Sequence, residues 1–220
     1  MITSHHNQLL KDIRRLHRRR DGGRFVAEGE DLVAAADAAG WTPVVRLRAG
    51  VDVEAEALAK ISSLGSGTRE LAVYEERWAQ PAGAVCVALW GVRDPGNVGT
   101  VLRGALAFGA SCVAIGPNTA DPFATKAVRA SMGAIFAVPV ARVEDVAALP
   151  GPRVALVARA GEPLAGPANG TLVVGAEREG LPADVVAACD EVRHIPIESE
   201  SLNAAMAATV ALYEWTRVPA

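Results

Sequence analysis

The stretch VCVALWGVRDPGNVGTVLRGALAFGASCVAIG, residues 85–116, reads as strand, helix and strand in succession. VCVALWG and SCVAIG are short, almost wholly apolar runs bounded by glycine, the pattern of strands covered on both faces. Between them Val98, Val101, Leu102, Ala105 and Leu106 keep the i, i+3, i+4, i+7, i+8 spacing of one inward helical stripe. Such a unit is a parallel crossover. The alternation continues downstream. PFATKAVRASMG reads as a helix, IFAVPV as a strand, VEDVAALP as a helix, RVALVAR and TLVVGAE as strands, PADVVAACD as a helix, VRHIPI as a strand and SLNAAMAATVALYEW as a final helix. This order predicts an α/β fold with a mostly parallel sheet and helices on both faces.

Upstream, LLKDIRRLHRRR reads as a short basic helix ending at Asp21-Gly22-Gly23. RFVAEGEDLVAAADAAGW follows as strand, turn and amphipathic helix, then VVRLR as a strand, VEAEALAKISSL as a helix and ELAVYE as a strand. WAQPAG, residues 78–83, has the composition of a linker. The sequence therefore divides into a small α/β unit over 1–80 and a larger one over 84–220.

A chain of 220 residues can bury one good core and a smaller second one. Half the residues are apolar but only 5% are aromatic, a composition suited to close helix-on-sheet packing. No apolar run approaches a membrane span and the N-terminus has no signal-peptide core, so a soluble cytoplasmic protein with no membrane association is expected. Cys86, Cys112 and Cys189 are isolated in apolar segments and the four histidines lack ligand spacing; no metal site and no disulfide is expected. The net charge is only -3, yet residues 11–24, KDIRRLHRRRDGGR, hold seven Lys/Arg against two Asp. Lys11, Arg14, Arg15, Arg18, Arg19, Arg20 and Arg24 form either a solvated helix face or an arm for a polyanion.

Open α/β sheets bind ligands beyond the carboxyl ends of their strands. Three segments sit there: DPGNVG, GAEREGLP and ESESLN. Asn97 is placed to cap the helix that follows it, and Ser201 is a candidate cap for the last helix, with Asn203 one step inside. Arg103 lies off the apolar stripe and needs an anionic partner or water. GAEREGLP lacks the Lys-Ser/Thr of a triphosphate loop, and no G-x-G-x-x-G follows a strand, which disfavours ATP and NAD. Lys126, Arg129 and Ser131 are further candidates for contact with a polyanion.

Together, Asn97 to Arg103, G-x-E-x-x-G from Gly175 to Gly180, and I-P-I followed by E-S-L-N-x-x-x-A resemble the three motifs of the SpoU (TrmH-like) branch of the SPOUT RNA methyltransferases. ITSHHNQLLKDIRRL followed by FVAEG is similar to that family's N-terminal RNA-binding domain. The resemblance implies S-adenosylmethionine as donor, methylation of a ribose 2′-hydroxyl in rRNA or tRNA, a homodimer formed through the catalytic domain, and a C-terminal trefoil knot. It implies Asn97, Arg103, Glu177, Ser201 and Asn203 as catalytic residues, and Gly175, Gly180, Ile195 and Leu202 as cofactor-binding ones. Arg103 is implied as general base, but a guanidinium stays protonated, and an electrostatic role suits it better. Only Glu198, Ser199 and Glu200 separate I-P-I from Ser201, a shorter spacer than the family usually has. The alternative is therefore a non-catalytic RNA-binding relative with impaired cofactor binding.

Overall fold

A computed structural model describes residues 1–18, 23–64 and 67–217. The N-terminal unit contains α1 (Gln8–Arg18), β1 (Arg24–Glu28), α2 (Glu30–Ala38), β2 (Val45–Arg48), α3 (Ala55–Ala59) and β3 (Glu70–Glu75). Its three strands form an antiparallel sheet in the order β1-β3-β2. The rest of the chain runs β4 (Val85–Trp90), α4 (Pro95–Ala107), β5 (Cys112–Ile115), α5 (Thr125–Ala130), α6 (Ala134–Ala137), β6 (Val140–Arg142), β7 (Arg153–Leu156), β8 (Glu162–Pro163), β9 (Gly170–Gly175), α7 (Ala183–Ala187), β10 (Glu191–His194) and α8 (Ala204–Thr216). Its seven strands lie in the order β6-β5-β4-β9-β7-β10-β8, and every pairing is parallel. No helix among the described residues is long and apolar enough to cross a membrane.

The central strand β4 shows how the layers are built. Val85, Val87 and Leu89 point into a core shared with α4, α5, α6 and α8, while Cys86, Ala88 and Trp90 point into a second core closed by Val146, Leu149 and Val185. Both sets are buried, which is why the strand reads as continuously apolar. The N-terminal sheet is also two-faced. Val26, Leu71 and Val73 pack on Leu10 and Ile13 of α1 and Leu58 of α3, whereas Phe25 and Tyr74 face the larger unit. There they meet Trp41, Phe123 and Phe136, with Phe25 and Phe123 centroids 4.9 Å apart and the Trp41 indole donating to the Phe136 carbonyl at 2.8 Å. The linker stays in contact too, since the Ala79 N–H donates to the Val140 carbonyl at the open edge of β6.

Several local readings need correction. IFAVPV is not one strand: residues 134–137 form α6 and β6 is confined to Val140–Arg142. Met132 and Gly133, at φ 49° and 90°, end α5 and restart the backbone as a helix, with the Ser131 hydroxyl bonded to the Val128 carbonyl. A short apolar run carries too little periodicity to separate the two states. Ser131 is consequently fully buried and cannot meet a polyanion. VEDVAALP shrinks to one 3-10 turn, Val146–Ala148, capped by Asp145. VEAEALAKISSL is helical only over Ala55–Ala59, and Glu162–Pro163 adds a strand that the sequence does not mark. On α4, Val98, Val101, Leu102 and Ala105 are buried, but Leu106 is 48% exposed.

Helix α4 lies between α5 and α8, and two glycines permit this. A Cβ on Gly99 would collide with the Ala127 carbonyl and the Ala130 side chain of α5; on Gly104 it would press on Thr209 of α8. Gly99→Ala sets two effects in opposition: about 1 kcal/mol of helix propensity gained against about 1–3 kcal/mol of overpacking. Because the obstacle is backbone, overpacking wins. Urea denaturation should give a lower midpoint for Gly99→Ala; a midpoint at or above that of the parent chain would contradict this packing.

Candidate active site

Since all seven strands of the larger sheet are parallel, their carboxyl ends share one edge, and the order β4-β9-β7-β10 makes neighbours of the segments that leave them. A cavity of about 410 Å³ opens at that edge. Its walls come from residues 174–181 at and beyond the end of β9, from Ile195, Ile197 and 200–202 beyond β10, from 156–158 at the end of β7, and from Ala204 and Ala207 of α8. Of the residues expected at a cofactor site, Gly175, Gly180, Ile195 and Leu202 all line it. So do Glu177 and Ser201.

Backbone geometry explains the two glycines. Ala176 and Gly180 exchange hydrogen bonds, N–H to carbonyl, at 3.2 and 3.0 Å, folding residues 176–180 into a tight loop. The loop turns back onto Gly175, where any Cβ would strike the Gly180 carbonyl and the Leu181 nitrogen. Gly180 itself has φ 68°, a conformation that L side chains disfavour. The short spacer does not withdraw the third segment from the cavity. Glu200, Ser201 and Leu202 still line it, and the Arg159 guanidinium donates to the Ser199 carbonyl at 3.3 Å.

Asn97 and Asn203 do not line the cavity themselves, but at Glu177, on its rim, three segments meet side chain to side chain. The Asn97 amide donates to Glu177, and the Asn203 amide donates to Asn97 Oδ1 at 3.1 Å. Neither asparagine plays the part that local sequence suggests. Asp94, not Asn97, caps α4, accepting from the Gly96 N–H at 2.8 Å, and Asn97 is thereby left free for the site. Asn203, not Ser201, caps α8, accepting from the N–H groups of Ala205 and Met206 at 2.9 and 3.3 Å. Lys126 pairs with Asp94 at 2.6 Å, and that hydrogen bond, foremost, holds the Asp94 carboxyl below its usual range. The cap therefore remains an anion, as the first turn of a helix favours.

Arg103 is the residue that the geometry does not bring in. It stands on the exposed face of α4, less than two turns or about 9 Å beyond Asn97 along the axis. It does not line the cavity, and among the described residues it has no hydrogen bond or ion pair. Leu106, three residues on, is exposed as well, and so are Met206, Val210 and Tyr213 at i, i+4, i+7 spacing on α8, the helix packed against α4.

In the N-terminal unit, Lys11, Arg14, Arg15 and Arg24 are exposed; Arg18 ends α1, and Arg19 and Arg20 lie outside the described residues. Lys60, at the end of α3, joins this patch in space. After slight desolvation, the charges of His6, Lys60, Arg14 and Lys11 lower the pKa of His5. Sequence order hid Lys60, which is far along the chain from Lys11. It also hid the wall at 156–158, although the strand-end rule applies to β7 as to its neighbours.

The sequence profile of the SpoU rRNA Methylase family matches residues 84–213. Over 96% of its length the chain is 29% identical to RlmP of Bacillus subtilis, a 23S rRNA (guanosine(2553)-2′-O)-methyltransferase, covering 97% of that protein. Among solved structures it is similar to an rRNA methyltransferase from Sinorhizobium meliloti, with TM-score 0.87, 30% identity, and 97% and 95% of the two chains covered. The AdoMet-bound form of that protein superposes with TM-score 0.86. The SpoU methyltransferase AviRb of Streptomyces viridochromogenes, in complex with AdoMet, gives 0.83 at 25% identity, with 96% and 97% covered.

The cap and the bridge made by Asn203 can be separated. Asn203→Ala should cost about 1 kcal/mol of stability in urea unfolding, whereas Asn203→Ser, which can still cap, should keep most of it. Equal losses in both variants would show that the bond to Asn97, not the cap, carries the stability.

Proposed function

The chain belongs to the SpoU rRNA methylase family, and from that premise we propose that it transfers the methyl group of S-adenosylmethionine to a ribose 2′-hydroxyl of RNA. The cavity suits such a donor. Its volume falls in the range of small-molecule sites, its side walls are apolar at Leu156, Ile195 and Leu202, and the 175–181 loop offers backbone groups. The missing Cβ at Gly175 lets that loop fold back onto the end of β9 and so sets the wall of the cavity. Bound there, S-adenosylmethionine supplies an electrophilic methyl carbon on a sulfonium.

The residues of the chain do the rest. An asparagine amide has two donor hydrogens and two acceptor lone pairs; Glu177 takes one donor of Asn97 and Asn203 takes one acceptor site. The remaining donor and acceptor are held in one orientation at the cavity mouth, where they fix the ribose hydroxyl, and much of the rate comes from that alignment. Arg103, from its place outside the cavity, clamps the adjoining phosphate and offsets the negative charge that the oxygen gains. Lys11, Arg14, Arg15, Arg18, Arg19, Arg20 and Arg24, joined by Lys60, hold the RNA backbone through salt-sensitive contacts.

A second copy of the chain covers the stripe formed by Leu106, Met206, Val210 and Tyr213, giving a homodimer through the catalytic unit and drawing Arg103 into its edge. The trefoil knot belongs to the same reading, supported by the return of α8 from the far side of the sheet to pack on α4 and β9. So does a cytoplasmic location, where ribosomal RNA is found.

One observation carries the proposal: Glu177, Asn97 and Asn203, from three distant segments, are hydrogen-bonded in a row at the mouth of the cavity. Arg103→Ala should lower transfer of labelled methyl to rRNA by about 100-fold or more while leaving donor binding intact. Turnover close to that of the parent chain would remove Arg103 from the chemistry.

A further inference from the structure

One buried polar cluster has no part in the chemistry above. The side chains of His17, in the last turn of α1, and Glu28, at the end of β1, are 9% and 3% exposed. The Ser63 N–H donates to Glu28 Oε1 at 2.8 Å, and the Ser63 hydroxyl donates to Oε2. His17 Nε2 is buried 3.4 Å from Glu28 Oε1 and makes no hydrogen bond among the described residues, and His17 Nδ1 lies 3.1 Å from the Thr125 hydroxyl. Burial lowers the imidazole pKa in spite of the carboxylate beside it, which favours the neutral ring. A neutral ring that carries its proton on Nε2, beside the carboxylate, leaves Nδ1 to accept from Thr125.

Apolar side chains of the same volume would fill this space without desolvating a carboxylate. What they would lack is direction. Thr125 is the first residue of α5, so its contact with His17 ties the last turn of α1 to the larger unit. The next residue, Lys126, binds Asp94, the cap of α4, three residues before Asn97. The same two helices are locked together where Gly99 meets Ala127. Bonded or adjacent residues thus lead from the basic helix to the mouth of the cavity.

We propose that His17 is a positioning residue for RNA: held by Glu28 and bonded to Thr125, it fixes the Lys11, Arg14 and Arg15 face of α1 relative to the mouth of α4. This inference rests on the RNA methyltransferase reading. RNA touches the chain at two places, α1 and the cavity mouth, and a rigid spacing between them makes the second contact effectively intramolecular. Loosening the spacing weakens RNA binding, but once both contacts are made the ribose lies as before.

Steady-state methyl transfer to an unmodified 23S rRNA transcript tests this, with donor affinity measured in parallel by calorimetry. Thr125→Val keeps the shape and loses the hydroxyl. It should raise KM for RNA by about three- to tenfold, the worth of one neutral hydrogen bond, with kcat and donor Kd within about twofold of the parent. Thr125→Ser should restore KM, and His17→Ala should raise it at least as far as Thr125→Val. An unchanged KM in Thr125→Val overturns the inference, as does a joint fall in RNA affinity, donor affinity and kcat, which would mark general loosening. A parent chain that binds donor yet methylates no RNA would instead overturn the reading on which the inference rests.

Discussion

The hydrogen bonds from Asn203 to Asn97 and from Asn97 to Glu177 join segments separated by 106 and 80 residues in sequence. Each is worth on the order of 1 kcal/mol, far less than the loop entropy that closing such separations would cost an open chain. The bonds therefore do not bring the segments together; the sheet does. Parallel pairing of β4, β9, β7 and β10 puts the carboxyl ends of four strands at one edge, and the bonds select a single arrangement of the loops beyond that edge.

That arrangement also depends on where side chains are absent. Gly99 and Gly104 let α4 sit between α5 and α8, so that its N-terminus stands fixed over the sheet edge, and Gly175 leaves room for the loop that closes the cavity. The first two positions set the helix that carries Asn97, and the third shapes the space beside Glu177. Phe25, Trp41 and Tyr74 bind the N-terminal unit to Phe123 and Phe136 with the few aromatic rings the chain has. Close packing of small residues orients the site, and a compact aromatic cluster holds the basic helix beside it.

Much of this could be read in the sequence, and the limits have physical causes. The alternation of apolar runs with helical spacing gave the parallel sheet, because strands buried on both faces leave no doubt about their surroundings. The three motifs pointed to Gly175, Gly180, Ile195 and Leu202, all of which line the cavity. Caps were harder. Asn97 and Ser201 had suitable chemistry, but Asp94 and Asn203 took the roles, since capping is decided by which side chain reaches the free N–H groups once the turn is formed. IFA of IFAVPV became helical because a buried serine and two residues of positive φ redirected the chain, neither of which apolar periodicity records. Leu106 matched the inward stripe and yet is exposed, a pattern that one chain's core does not explain. His17, Lys60 and Thr125 were out of reach altogether, their partners being set by tertiary contact.

The central claim is that the cavity at the sheet edge holds the methyl donor within reach of the Asn97 amide. Crystals of the chain grown with S-adenosylmethionine test it most directly. Donor density is expected between the loops that carry Gly175 to Gly180 and Ile195 to Leu202, with the sulfonium methyl turned toward Asn97, Glu177 and Asn203. A donor bound elsewhere, or a cavity still empty at saturating donor, would contradict it.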